Sequence, residues 1–204
     1  SGVSGQNAAN IALGMGADVT LLDTDLDKLH MSFWRYNNRV HGLASSRLAI
    51  EQQVLEADLV IGAVLIPGAA APKLISNELV AAMKPGSVLV DIAVDQGGCF
   101  EDTRATTHAD PTYQVHESIF YCVANMPGAV PNTSTYALTN ATLPYVVALA
   151  NKGWQQALRD DASLAAGLNT HAGSLTNAPV AAAVGIPAVP LADALRSEEH
   201  TSEL

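Results

Sequence analysis

Asp95 closes the run Ser87-Val-Leu-Val-Asp-Ile-Ala-Val-Asp95, and Gln96, Gly97, Gly98 and Cys99 follow it. The run reads as a strand buried on both faces. In an open parallel sheet the carboxyl ends of the strands face the ligand crevice. A carboxylate where such a strand gives way to a glycine turn is well sited for chemistry. Asp before Gly is also ordinary turn chemistry, and position alone leaves both readings open. Near the start of the chain, Gly2 and Gly5 have the spacing of the last two glycines of Gly-x-Gly-x-x-Gly. The first glycine and its strand would lie upstream of Ser1. Glycines there let the backbone approach a pyrophosphate, and an acid about 20 residues on takes the ribose hydroxyls. Asp23 has that distance and sits at a strand end, which predicts a nucleotide site preferring NAD to NADP, because a carboxylate repels a 2′-phosphate. The competing reading is a tight helix–strand turn that binds nothing. Turns also follow the strand ends at Val64-Leu65-Ile66-Pro67-Gly68 and Asn125-Met126-Pro127-Gly128, and Asn125 could orient a carboxamide or a substrate.

These residues require an alternating scaffold. Ser1 to Gly16 reads as a glycine turn entering a helix, and Asp18 to Asp23 as a short buried strand. Leu26 to about Tyr36 is a helix, and Arg39 to Leu43 a weak strand. Leu48 to Ala57 is a helix with Ile50, Val54 and Leu55 on one face. Asp58 to Ile66 is a strong buried strand ending at Pro67-Gly68, and Leu74 to Met83 a helix. Ser87 to Val94 is the next strand, and Tyr113 to Val123 another. Such alternation predicts an α/β fold, a doubly wound parallel sheet of Rossmann type with its first strand missing. The grammar changes after Pro131. Ser134 to about Asp160 reads as long helical material with a kink or break at Pro144. Ala162 to Leu168 and Ala178 to Val184 are short helices. The expected organisation is a nucleotide-binding domain over residues 1–130, truncated at its N-terminus, and a helical segment of a second, substrate-binding domain over 131–195. Residues 196–204 share neither composition nor periodicity with the rest and read as a non-native tail.

Hydrophobic residues make up 49% of the chain and charged ones 15%, so a substantial core is expected and disorder is not. A net charge of -10 argues against nucleic acid or an anionic membrane as partner. No apolar run is long enough to cross a bilayer, and a reducing cytoplasm is the expected location. Cys99 and Cys122 lack the spacing of a metal knuckle and read as buried thiols. Trp34 and Trp154 are expected to anchor packing, and His108 and His116 to lie on loops or the surface.

Four blocks together resemble bacterial L-alanine dehydrogenase, in the alanine dehydrogenase and transhydrogenase NAD-binding family. They are Asp58-Leu-Val-Ile-Gly-Ala-Val-Leu-Ile-Pro-Gly-Ala, Asp91-Ile-Ala-Val-Asp-Gln-Gly-Gly-Cys-Phe-Glu, Tyr121-Cys-Val-Ala-Asn-Met-Pro-Gly-Ala-Val-Pro and Thr133-Ser-Thr-Tyr-Ala-Leu-Thr-Asn-Ala-Thr-Leu-Pro-Tyr. The resemblance implies NAD-dependent, reversible oxidative deamination of L-alanine to pyruvate and ammonium, in a homohexamer. It implies cofactor contacts at Gly2, Val3 and Gly5, at Asp23 and Lys28 for the adenosine ribose, and at Ser45 beside the adenine. It further implies contacts at Val64 and Leu65, at Arg104, and around the nicotinamide at Ile92, Ala93, Val94, Asp95, Val123, Ala124, Asn125 and Met126. Asp95 matches the family's catalytic aspartate. The family's catalytic His and its substrate-holding Lys and Arg belong to an N-terminal domain outside this sequence, so these residues alone are expected to be inactive. Some members carry a metal-binding Glu and His where this chain has Ala148 and Lys152, so no metal is expected. The competing readings are the NAD-binding subunit of a proton-translocating transhydrogenase and a nucleotide-sensing module without catalysis.

Overall fold

The computed structural model describes residues 1–64, 66 and 70–196. The described residues divide into two compact units, one within residues 1–126 and the other over residues 127–196. The expected contact at Leu65, the strand end at Pro67-Gly68 and the tail from residue 197 lie outside the described residues.

The first unit is mixed α/β. Helix α1 (Val3–Gly14) leads to strand β1 (Val19–Asp23), helix α2 (Leu26–Arg35) to β2 (Val40–Ala44), and α3 (Arg47–Glu56) to β3 (Leu59–Gly62). Then come α4 (Asn77–Ala81), β4 (Val88–Asp91), β5 (Thr112–Val115) and β6 (Ser118–Tyr121). Side-chain caps set the starts of α2 and α3. Asp25 takes the amides of Asp27 and Lys28 at 3.0 and 3.3 Å, and Ser46 takes that of Ala49 at 3.1 Å. Strands β1 and β2 pair in parallel. Strands β3, β4 and β6 are also parallel, in the order β3-β4-β6-β5, with β5 antiparallel at the edge. The two sheets are not hydrogen-bonded to each other, and α1 packs on both β1 and β3.

Three boundaries and one packing role differ from expectation for local reasons. Tyr113–Val123 is not one strand but the β5–β6 hairpin, because His116 takes a left-handed backbone (φ 51°) that turns the chain. The strand expected over Asp58–Ile66 ends at Gly62. Its register partner is Asp91, where β4 also ends, so no neighbour continues the ladder. The helix expected from Leu74 begins only after Ser76, whose hydroxyl takes the Leu79 amide. Leu74 and Ile75 are drawn off by pairing with Cys99 and Glu101: Leu74 N–H donates to the Cys99 carbonyl at 2.8 Å, and Glu101 N–H to that of Ile75 at 2.9 Å. Trp34 does not anchor packing, being 66% exposed. Its indole N–H bonds His30 within the same helix.

Two clusters form the interior of this unit. Ala9 and Leu13 of α1 meet Leu21, Leu29, Tyr36 and Val40 around β1–β2. Leu89, Phe100, Phe120, Val80, Met83 and both cysteines form the larger core around β4. Phe120 is fully buried and stands edge-on to Phe100, centroids 6.0 Å apart. Phe120→Ala is therefore expected to cost about 3–5 kcal/mol. Urea unfolding measures it, and a loss below about 1 kcal/mol would show the ring to be loosely held.

The second unit is mainly helical. Helix α5 (Pro131–Lys152) is followed by α6 (Trp154–Asp160) and α7 (Ala162–Ala165). A small hairpin of β7 (Thr170–His171) and β8 (Ser174–Leu175) precedes α8 (Ala178–Val184) and α9 (Leu191–Arg196). Pro144 does not end α5; the break falls at Gly153 (φ 74°), a conformation that favours glycine. Trp154 stacks against His171 at 4.8 Å. No residue of α5 is buried, and Tyr136, Leu138, Val146 and Val147 are exposed.

Candidate functional site

The strand registers put Asp23 and Ala44 on one rim, and Gly62, Asp91 and the chain just after Tyr121 on another. Helix α1 joins the two rims. Its leading residue Ser1 lies against Asp23, while a Cβ on Gly5 would sit 3.7 Å from that of Ala63, just past β3. The carboxyl ends of β1 and β3 therefore flank the N-terminus of α1.

That N-terminus is open. Helix starts leave backbone N–H groups without intrahelical partners. No side chain caps α1, and a Cβ on Gly2 would meet nothing within 4 Å. Gly2 has an ordinary extended backbone (φ -68°, ψ -177°), so its turn does not require glycine. What glycine leaves there is space in front of the helix. Val3, exposed, is the first helical residue.

Asp23 already receives hydrogen-bond donors. Its Oδ2 takes the Ser1 ammonium at 2.8 Å and the Ser1 hydroxyl at 2.9 Å, and its Oδ1 takes the Asp25 amide at 2.9 Å. Burial pushes this carboxyl up, while the Asp25 amide and the Ser1 hydroxyl draw it down. Ser45 follows β2 and donates its N–H to the Asp23 carbonyl at 2.8 Å. Lys28, one turn into α2, pairs with Asp25 at 3.5 Å.

Asp95 lies in a single 3₁₀ turn, Val94–Gln96, directly after β4. Its carboxylate is exposed and takes no hydrogen bond or ion pair from the described residues. The turn is held from outside. Ile92 N–H donates to the Gly62 carbonyl at 2.8 Å, and Ala71 N–H to that of Gln96 at 3.0 Å. The Lys73 ammonium donates to the carbonyls of Gly97 and Phe100 at 2.6 and 2.9 Å. Ala93 and Val94 turn their side chains into the core, as does Val123, while Ile92 and Val64 are half-buried. At these positions the rim is mainly backbone. Ala124 and Asn125 are exposed and Met126 half-buried; the Asn125 carbonyl bonds Nε2 of His108 at 2.6 Å. Arg104 is turned away to an aromatic partner, its guanidinium lying 3.9 Å over the Tyr113 ring.

Three groups escaped the sequence reading as parts of this assembly: Asp91, Tyr113 and Lys73. Asp91 is fully buried at the end of β4 and accepts five hydrogen bonds. An acid inside an otherwise apolar strand was the available signal, since a buried carboxylate must be met by donors. Tyr113 takes the Arg104 amide and donates to the Asp102 carbonyl, both at 2.9 Å. Cys99 is buried beside Asp91, and burial together with that carboxylate pushes its thiol up to about 12, so it is no nucleophile at neutral pH. Among the described residues no group of His, Cys, Asp or Glu is arranged to hold a metal ion, and no helix is long and apolar enough to cross a membrane.

The chain is similar to named proteins over most of its length. It is 58% identical over 187 residues to "Alanine dehydrogenase" of Mycolicibacterium smegmatis, covering 92% of this chain and 50% of that protein. It is 60% identical over 185 residues to the Halomonas elongata protein of the same name, covering 91% and 50%. A solved "L-alanine dehydrogenase" superposes with a TM-score of 0.80 at 49% identity, over 90% of this chain and 51% of the other. A transhydrogenase from Sinorhizobium meliloti is more distant, with a TM-score of 0.57 and 27% identity over 66% of this chain and 38% of that one. The chain thus spans about half the length of the curated relatives it matches. The model of the family described as "Alanine dehydrogenase/PNT, C-terminal domain" matches residues 1–178, and the chain belongs to that family.

Proposed function

We propose that this chain is the cofactor-binding half of an NAD-dependent alanine dehydrogenase. It would catalyse oxidative deamination of L-alanine to pyruvate and ammonium, and the reverse, together with a substrate-binding half. The observation that carries the reading is an uncapped helix start flanked by the carboxyl ends of β1 and β3, with the Asp23 carboxylate ending β1 and the exposed Asp95 carboxylate following β4 in the same unit. The residues fit the cofactor. Asp23 already accepts a hydroxyl from Ser1, the bond that a ribose would make, and the space before Gly2 suits a pyrophosphate on the α1 amides. NAD, when bound, supplies the acceptor for the substrate's hydride.

The chain's own residues do the rest. Gly2, Val3 and Gly5 offer backbone to the phosphates. Asp23 and Lys28 hold the ribose, and Ser45 lines the adenine side. The backbone of Val64, Ile92 to Val94 and Val123 to Asn125 lines the nicotinamide end, with Met126 and Arg104 at its margin. Asp95 takes a proton from the attacking water during deamination and returns one in amination. The transhydrogenase reading has the support of the lower likeness only. The proposal extends to a homohexamer in the cytoplasm, on the family resemblance alone. It assigns residues 1–130 to the nucleotide domain, 131–195 to a segment of the substrate domain, and 196–204 to a non-native tail. The exposed apolar residues of α5 are accounted for if a substrate-binding half covers them.

NADH fluorescence titration of this chain tests the reading. Saturable binding is expected, weakened roughly tenfold or more by Asp23→Ala, in line with the loss of hydrogen bonds to a charged group. The chain alone is expected to form no NADH from alanine and NAD. Absence of binding at millimolar NADH would remove the cofactor assignment, and turnover by the chain alone would remove the division into halves.

A further inference from the structure

We infer that Asp91 is a positioning residue: its buried carboxylate staples both ends of the loop that presents Asp95. The inference rests on the reading of Asp95 given above. The loop leaves β4 at Ile92 and returns to the core at Cys99. Oδ1 of Asp91 takes the Ala93 amide at 2.9 Å, at the outgoing end, and the Cys99 thiol at 3.4 Å. Oδ2 takes the amides of Cys99 and Phe100 at 2.8 and 3.4 Å, and the Thr103 hydroxyl at 2.5 Å, all at the returning end. Every partner is a donor, and none of the ion pairs among the described residues involves Asp91. Gly98 completes the fit. A Cβ there would lie 2.6 Å from Oδ2 and 2.3 Å from the Thr103 methyl, and its φ is +75°. The Asp95 carboxylate has no partner of its own among the described residues, so its place depends on the backbone that carries it. That backbone is anchored at both feet on one carboxylate.

Asparagine cannot replace this acceptor pair. Whichever way its amide is turned, an NH₂ group faces a backbone N–H, that of Ala93 on one side or those of Cys99 and Phe100 on the other. One foot of the loop must then shift, and displacements of about 1 Å can cost two orders of magnitude in rate.

The test is a double-mutant cycle in the complete enzyme, read as kcat and KM for alanine, with NADH affinity measured separately. Asp91→Asn is expected to lower kcat at least tenfold and to leave KM within about twofold. In an Asp95→Asn background it is expected to cost nothing further, because its effect passes through Asp95. An equal loss in both backgrounds, or an unchanged kcat, overturns the inference. If Asp91→Asn does not fold, Thr103→Val decides, since it removes one of five donors. A loss of roughly threefold is then expected, again only when Asp95 is present, and a loss in both backgrounds or in neither overturns the inference. Should Asp95→Asn itself leave turnover intact, the functional reading of Asp95 fails instead, an outcome distinct from either.

Discussion

Asp95→Asn is expected to lower alanine-dependent NADH formation by the complete enzyme by about 10²–10⁴-fold, the usual contribution of a positioned acid–base group. The side chain is exposed and carries no structural hydrogen bond, so removing its charge leaves the turn Val94–Gln96 with the backbone contacts that hold it. Melting of the protein is therefore expected to stay within about 2 °C of the parent, as for surface substitutions away from special features. NADH affinity is expected within about threefold, because Asp23 and the α1 amides are untouched. Steady-state rates, thermal melting and NADH titration check the three statements together. A variant that keeps more than a tenth of the parent rate would show that the carboxylate only decorates the turn, the alternative that its sequence position leaves open.

Gly62→Ala is expected to destabilise the first unit by about 1–3 kcal/mol or more, the range for forcing volume into a packed core. A Cβ at Gly62 would fall 2.2 Å from the Cys99 sulfur and 2.8 Å from the Phe100 ring. Neither neighbour has somewhere to go. Both are buried, and the Cys99 amide is tied to Asp91 at 2.8 Å. The substitution therefore strains the Asp95 loop as well as the core, and NADH affinity is expected to fall along with stability. Gly5→Ala is the internal control. Its Cβ would meet Ala63 at an ordinary 3.7 Å, so it is expected to stay within about 0.5 kcal/mol. Urea unfolding of the two variants separates crowding from the generic effect of replacing glycine. Equal midpoints would mean that Cys99 and Phe100 can relax.

The two glycines show why the sequence was informative about one feature and silent about another. Gly5 belongs to a spaced motif that is legible at sight, although its packing would accept a methyl group. Gly62 sits unremarked in a run of apolar residues, and its requirement comes from a sulfur and a ring far along the chain. Local signals served well where they were self-contained. The starts of α2 and α3 follow from Asp25 and Ser46, which cap within their own first turns. Signals failed where a distant segment competed. Leu74 and Ile75 have helix-compatible side chains, but their backbone groups are taken by Cys99 and Glu101. The alternation from Tyr113 to Val123 was real, yet the left-handed turn at His116 folds it into a hairpin. Trp34 shows the converse error, since size suggested a core position and the helix face placed it in solvent.

The sequence by itself determined the alternating α/β order, the candidate nucleotide turn with its acid at Asp23, and the carboxylate at the strand-to-turn position Asp95, because each is written in residues close together along the chain. Only the tertiary structure decided that Asp91 is the anchor of the Asp95 loop, that Ala93, Val94 and Val123 offer backbone in place of side chains, and that Arg104 rests on Tyr113. The physical reason is that most of the groups involved are main-chain amides and carbonyls, which every residue carries alike, and only folding brings particular ones within reach of one carboxylate.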